Sequence, residues 1–162
     1  MDKIEELHRI DSGDCEMPYI VIDHKIHVIC DDEPATVLAR TKEVLKLVIG
    51  SELSPSDPPE DWRAVLPQWF VEKCCEEEDP VLEIANQGSD EVDTSRESPE
   101  WSVGAFVYWF TPEERPWYWW CSEIVDERSF DITLLGYDWL IAWGALKWLL
   151  IVAGAKECEL VE

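Results

Sequence analysis

Hydrophobic residues fall in short blocks along the first third of the chain, and the first block is strand-like. Residues 18–30, PYIVIDHKIHVIC, are dense in β-branched and aromatic side chains, which strands favour. The polar triplet at 23–25 interrupts this block where a hairpin turn would lie, so we predict two short strands. The polar residues before them are expected to be partly ordered at best, with Ile4, Leu7 and Ile10 able to form one short helical face.

A helical pattern follows in residues 34–50. Its apolar face is formed by Val37, Thr41, Val44, Leu45 and Val48. Asp31 or Asp32 can cap the N-terminus, Pro34 suits the first turn and Gly50 suits the end. The spacing therefore predicts an amphipathic helix packed on a core.

Helical spacing returns in residues 60–75, EDWRAVLPQWFVEKCC, with Asp57 as the predicted cap. Pro67 cannot lie inside a helix without removing a backbone hydrogen bond. The helix is therefore expected to kink at Pro67, or a second helix to begin there.

The C-terminal third is predicted to contain three consecutive strands, at 101–110, 117–125 and 129–139, separated by turn residues. The run WYWW at 117–120 places aromatic side chains on both faces of the second strand. A strand that is apolar on both faces is typical of the centre of a sheet.

The apolar run at 139–155 is nearly long enough to span a membrane, but Lys147 lies at its centre and its flanks are acidic. We therefore predict a buried helix from about 140 to 153, ended by Gly154. The final KECELVE is expected to return as a last strand.

These elements indicate the α+β class: one domain, 1–162, with a small and mostly antiparallel sheet packed against two to four helices. Residues 76–100 carry many carboxylates and few large apolar side chains. We interpret them as an acidic loop or linker between an α-rich N-terminal part and a β-rich C-terminal part.

The net charge of the chain limits the classes of partner that it can bind. The chain has 36 Asp and Glu against 13 Lys and Arg, a formal net charge of -23. Binding to nucleic acid or to an anionic membrane is not expected, because both need clusters of Lys and Arg. A basic protein is the natural complement.

The six cysteines form no CxxC pair and no framework typical of small secreted domains. The N-terminus lacks the basic and apolar regions of a signal peptide, so we predict a cytoplasmic protein with reduced thiols. His24, His27 and Cys30 have a spacing that suggests zinc ligands. Residues three apart in a strand point to opposite faces, so we predict no metal site.

Motifs for catalysis and cofactors are lacking. No G-x-S-x-G occurs, and the seven glycines are too scattered for a phosphate-binding loop. No cofactor and no catalytic residue is predicted, and binding is favoured over catalysis. The carboxylates near the aromatic region are the only enzyme candidates that we consider: Glu113, Glu114, Glu123 and Asp138.

The predicted partner-binding residues combine the acidic loop with two aromatic anchors. They are Glu76, Glu77, Glu78, Asp79, Asp90, Glu91, Asp93, Trp117 and Trp119. Carboxylates would steer a basic partner through complementary charge, and Trp side chains would anchor it.

The blocks DWRAVLPQWF, WYWWCSEIVDERSF and WGALKWLLIVAGA look like those of small uncharacterised bacterial proteins. In size, charge and lack of catalytic motifs, the chain also resembles immunity proteins of bacterial toxin systems. Those proteins occlude basic nuclease toxins with carboxylate-rich surfaces. The resemblance covers mostly the C-terminal half and transfers no functional residues; it implies a basic toxin as the partner.

Three other functions are left open. A small carboxylate-dependent hydrolase needs a cleft with convergent groups. A carbohydrate-binding module needs coplanar exposed Trp side chains. A structural or homo-oligomer-forming protein would bury an aromatic face against another copy of itself.

Overall fold

Four strands form one sheet in the computed structural model, which describes residues 2–12, 15–16, 22–75, 101–111, 114–136, 138 and 141–161. The strands are β1 (Ile22–Cys30), β2 (Trp117–Asp126), β3 (Ser129–Gly136) and β4 (Ala155–Val161). Their order across the sheet is β2-β3-β1-β4, and every neighbouring pair is antiparallel. With the helices below, the predicted α+β class is confirmed.

The helices of the described residues are α1 (Lys3–Ser12), α2 (Pro34–Gly50), α3 (Pro59–Val65), α4 (Gln68–Val71), α5 (Val103–Tyr108) and α6 (Gly144–Ala153). Helices α2 and α6 pack against each other and against the strands. Aromatic rings fill the core beside them: the ring centroids of Phe70 and Phe106 lie 4.7 Å apart, and Trp148 lies 5.6 Å from Phe70. No helix in the described part of the chain has both the length and the apolar character needed to cross a bilayer.

Alternation along the strands separates a buried face of the sheet from an exposed one. The buried face packs on the core through His24, Ile26, Val28, Cys30, Trp117, Trp119, Phe130, Ile132, Leu134 and Cys158. The other side, which we call the open face, carries Asp23, Lys25, His27, Ile29, Glu123, Asp131, Thr133, Glu157, Glu159 and Val161. Each of these ten residues is exposed or partly exposed. The same side also holds Cys121 and Leu135, which pair with Thr133 and Asp23 and are buried in a small second cluster with Trp120.

Helix α1 lies beside β2, an edge strand of the sheet. The Glu6 carboxylate is buried there and accepts a hydrogen bond from the backbone N–H of Trp119 at 2.8 Å. The Arg9 guanidinium lies 3.6 Å from the ring centroid of Trp120. Beyond the helix, Cys15 forms a disulfide with Cys121. The expectation of reduced thiols is therefore wrong for this pair.

Three sequence-based expectations about strands and helices are wrong. Residues 22–30 form one strand rather than a hairpin, because β1 lies between β3 and β4. All three residues of its polar triplet pair with β3, and Lys25 also pairs with β4. Residues 103–108 form a helix rather than a strand, since the Ser102 side chain caps it by accepting from the Ala105 N–H. Strand β2 lies at the edge rather than the centre, with α1 covering its first half.

Several other expectations are confirmed. Helix α2 spans the predicted residues with Pro34 in its first turn, although Glu33 rather than Asp31 or Asp32 is its N-cap. A separate helix, α4, begins after Pro67. The predicted cap of α3 is wrong, because Pro58 rather than Asp57 is its N-cap.

The C-terminal helix and strand also follow the prediction. Gly154 ends α6 with a φ of 124°, a backbone conformation that glycine adopts at little cost. Strand β4 then returns along β1.

Candidate functional site

A row of ionisable side chains crosses the open face, one from each strand. Glu123 of β2 pairs with Asp131 of β3. Asp131 also pairs with His27 of β1, and His27 pairs with Glu159 of β4. Paired residues point to the same side of a sheet, and neighbouring strands lie about 4.8 Å apart, so the row extends over roughly 14 Å.

Negative charge dominates this face. The Asp131 carboxylate accepts a hydrogen bond from His27 Nδ1 at 2.7 Å, and Lys25 Nζ lies 3.8 Å from its other oxygen. Glu123 and Glu159, at the two ends of the row, are exposed. Asp23 and Glu157 add two more exposed carboxylates to the same side of the sheet. Five carboxylates thus face solvent with one lysine and one histidine among them.

The turn between β2 and β3 adds a further carboxylate close to the open face. Asp126 Oδ1 accepts a hydrogen bond from the Arg128 backbone N–H at 2.8 Å. This bond, with further hydrogen bonds from Ser129 and the nearby charge of His27, holds the pKa of Asp126 below its usual value. Asp126 therefore keeps its negative charge over a wider acidic range than an unpaired aspartate.

The predicted partner-binding residues divide into two groups. The seven carboxylates of the 76–100 loop, from Glu76 to Asp93, lie outside the described residues. Trp117 and Trp119 are 1% and 0% exposed and belong to the main hydrophobic core. Both rings are thus inaccessible in the folded chain, and we assign them to the core rather than to a partner surface.

Aromatic rings are also unavailable for sugar stacking or for self-association in the described part of the chain. None of the nine Trp residues that the structure describes is exposed; Trp69, Trp109 and Trp143 are partly buried and the others are buried. The large exposed apolar side chains are scattered rather than joined in one patch: Ile4, Val65, Ile124, Val125 and Val161. The coplanar exposed Trp pair that a carbohydrate-binding module needs is missing from these residues.

The His24, His27 and Cys30 triplet does not converge on one point. His24 is buried and its Nε2 donates to the Asp138 carbonyl oxygen at 2.9 Å, whereas His27 lies on the open face. Burial, with a smaller contribution from the Asp31 charge, raises the pKa of the Cys30 thiol, which disfavours the thiolate that a metal requires. Among the described residues, no group of three or more His, Cys, Asp or Glu is arranged to hold a metal ion.

The carboxylates considered for catalysis are separated in the fold. Glu123 lies on the open face, Asp138 follows β3 at the surface, and Glu114 hydrogen-bonds Tyr108, which raises the pKa of that phenol. Glu113 lies outside the described residues. The three described carboxylates are thus on different parts of the molecule and do not form an acid and base pair.

One buried polar cluster was not predicted from the sequence. Both oxygens of the Glu6 carboxylate accept from the Arg115 guanidinium, at 2.7 Å for the Nη2 contact, and both side chains are almost wholly buried. Glu6 is the only acidic side chain among the buried residues of the described chain. An acidic residue on the inner side of a short helix is the signal that could have identified it.

Comparison with known proteins gives no further guidance. No protein-family model, no curated protein and no solved structure matches the chain. Its function must therefore be inferred from the geometry described above.

Proposed function

We propose that the chain is a protein-binding module whose open face binds a basic protein. The observation that carries the proposal is the row from Glu123 to Glu159, in which three carboxylates and one histidine lie side by side, the end residues exposed and the middle two partly exposed. A basic toxin, the partner implied by the resemblance to immunity proteins, has the required charge.

The arrangement within the row supports a role in binding. Like charges directly opposite each other on neighbouring strands destabilise a sheet by about 0.2–1 kcal/mol per pair. Glu123 and Asp131 are such a pair. A lysine or arginine of a partner, placed between them, would add to the compensation that His27 and Lys25 already give Asp131, and would reduce the remaining repulsion.

The net charge of -23 would act before the complex forms, by attracting a basic protein over a distance. Long-range attraction raises the association rate of oppositely charged proteins, and salt weakens it because the Debye length is about 8 Å at physiological ionic strength. The surface row would then fix the orientation of the bound partner.

We propose the cytoplasm as the setting, since four cysteines lie outside the disulfide: Cys30, Cys74, Cys75 and Cys158. The Cys15–Cys121 disulfide favours an oxidising compartment instead. Counting the thiols of protein extracted under alkylating conditions decides between them. Six alkylated cysteines are expected for a reducing compartment, and four for an oxidising one.

The test compares two variants with the same change in net charge. The open-face variant carries Glu123→Gln, Glu157→Gln and Glu159→Gln. The matched control carries Glu60→Gln, Asp61→Asn and Glu72→Gln, three exposed carboxylates on and beside α3 and α4. Each protein is used to capture partners from lysate at low salt, and captured proteins are identified by mass spectrometry and assayed by surface plasmon resonance.

We expect a basic protein to bind the wild type and the control with similar affinity and to bind the open-face variant at least tenfold more weakly. Equal loss in both variants would assign binding to net charge rather than to the open face. Capture of no basic protein by the wild type at low salt would refute the proposal.

A further inference from the structure

A cavity of about 250 Å³ lies between α1, the end of α2, α3, α5 and the start of β2. Its walls are mostly apolar and include the rings of Trp62, Phe110 and Tyr118. Its charged lining residues are Lys3, Glu6 and Arg115. None of the open-face residues lines it, so the cavity is independent of the surface proposed above.

The charged residues that line this cavity have a net positive charge, whereas the whole molecule has a net negative charge. Glu6 and Arg115 neutralise each other, and the Glu6 carboxylate is fully engaged because it also accepts from the Trp119 N–H. Lys3 is left as the surplus charge. Its ammonium group donates to the Ser51 carbonyl at 2.9 Å and lies 3.5 Å from Glu52, a wholly exposed carboxylate whose attraction water screens.

The buried guanidinium also has spare donor capacity. Arg115 Nε is buried and has no hydrogen-bond partner among the residues that the structure describes. A buried donor without an acceptor costs about 1–3 kcal/mol. Arg115 also lines the cavity, so its guanidinium adds positive charge beside any bound anion.

We propose that this cavity binds a small monoanion with a planar apolar body, the chemistry of an aryl carboxylate. The ring would pack against Trp62, Phe110 and Tyr118, and the carboxylate would lie between Lys3 and Arg115. An engineered apolar cavity of about 150 Å³ holds a benzene ring, so the present volume accommodates one ring with a short acidic substituent.

Three probes of the same shape test the charge class: phenylacetate, the neutral phenylacetamide and the cationic 2-phenylethylamine. Each is titrated into ¹⁵N-labelled protein, and the indole N–H signal of Trp62, which donates to the Ser54 carbonyl, reports occupancy. We expect phenylacetate to bind about tenfold more tightly than the amine, the ratio that corresponds to roughly 1.4 kcal/mol. The amide should lie between them.

The Lys3→Gln variant should weaken phenylacetate about fivefold and leave phenylacetamide unchanged. Lys156→Gln is the matched control, because Lys156 is similarly exposed and forms a similarly weak ion pair, with Asp31 at 3.7 Å, away from the cavity. In a third variant, Leu53→Trp fills the cavity from its lining and should abolish binding of all three probes.

Three results would overturn the proposal. They are the absence of Trp62 shifts with phenylacetate at millimolar concentration, equal affinity for the amine and the carboxylate, and equal effects of Lys3→Gln and Lys156→Gln. Because neither the probes nor the variants involve open-face carboxylates, these results leave the proposed partner binding unaffected.

Discussion

The Glu6–Arg115 pair is the residue-scale feature that most clearly joins distant parts of the chain. A buried ion pair adds little net stability over an apolar pair of the same volume, but removing one partner leaves the other charge buried and uncompensated. Glu6 also satisfies the Trp119 N–H. Its loss would therefore loosen α1 from β2 as well as expose a charge imbalance.

We expect Glu6→Gln to lower the free energy of unfolding by about 3–5 kcal/mol. The amide oxygen can still accept from Trp119, so the loss comes mainly from the uncompensated guanidinium. The double variant Glu6→Leu, Arg115→Met should lose less, because it removes both charges. Urea denaturation of the variants measures this, and a double variant less stable than Glu6→Gln would contradict it.

Alkaline stability depends on buried thiols of the core face. Burial raises the pKa of Cys158 from 9.0 to about 11 and raises that of Cys30. The unfolded chain releases these protons at lower pH than the folded chain. The stability they contribute is therefore complete below pH 9 and is lost as pH rises from 9 towards 11.

For Cys158 alone this linkage corresponds to at most about 3 kcal/mol. The Cys158→Ala variant should therefore show a shallower fall in unfolding free energy between pH 8.5 and 10.5 than the wild type. Cys74→Ala, which removes a partly buried thiol outside the sheet, is the control. Identical slopes for Cys158→Ala and wild type would show that the pKa of Cys158 is no higher in the folded chain than in the unfolded chain.

At the scale of elements, the disulfide links the segment after α1 to β2 across a sequence separation of 106. Closing so long a loop restricts the unfolded chain, and disulfides typically stabilise by about 2–4 kcal/mol. We expect reductant to lower the urea midpoint of the wild type but not that of Cys15→Ser, Cys121→Ser.

Thiol titration of unreduced, denatured protein gives the chemical check. Four free thiols are expected from six cysteines. A titre of six, with a midpoint insensitive to reductant, would show that the bond does not form.

Elements with strong local patterns were predicted correctly, and the errors lie where the outcome depends on distant partners or where the composition suggests the wrong element. Helix α2 has a long amphipathic repeat, and the C-terminal turn has Gly154 at its predicted place. Helix α5 is six residues long and rich in β-branched and aromatic side chains, so its composition resembles a strand. The polar triplet of β1 resembles a turn until its pairing with β3 is known.

At the scale of the whole molecule, the candidate site could be predicted only in part. Alternation indicates which residues of one strand share a face, but not which strands are neighbours. The order β2-β3-β1-β4 brings together Glu123, Asp131, His27 and Glu159 from separate regions of the chain. High negative charge pointed to a basic partner, whereas the position of these carboxylates required the sheet topology.

Concentrating like charges on one face implies a conflict between stability and binding. The open-face variant Glu123→Gln, Glu157→Gln, Glu159→Gln should be more stable than the wild type at low salt, by up to about 1 kcal/mol, because Glu123→Gln removes the repulsion with Asp131 on the neighbouring strand. The control with Glu60→Gln, Asp61→Asn and Glu72→Gln should gain nothing, since two of its carboxylates lie in the first turn of α3 and interact favourably with the helix dipole.

Denaturation at low and high salt distinguishes local repulsion on the open face from the repulsion due to net charge. Local repulsion predicts a gain in unfolding free energy for the open-face variant alone. This gain should shrink in 0.5 M salt, because salt screens the same repulsion in the wild type. Equal gains in both variants would mean that the whole molecule, and not this face, carries the excess of charge. The open face would then have no energetic conflict for a basic partner to relieve.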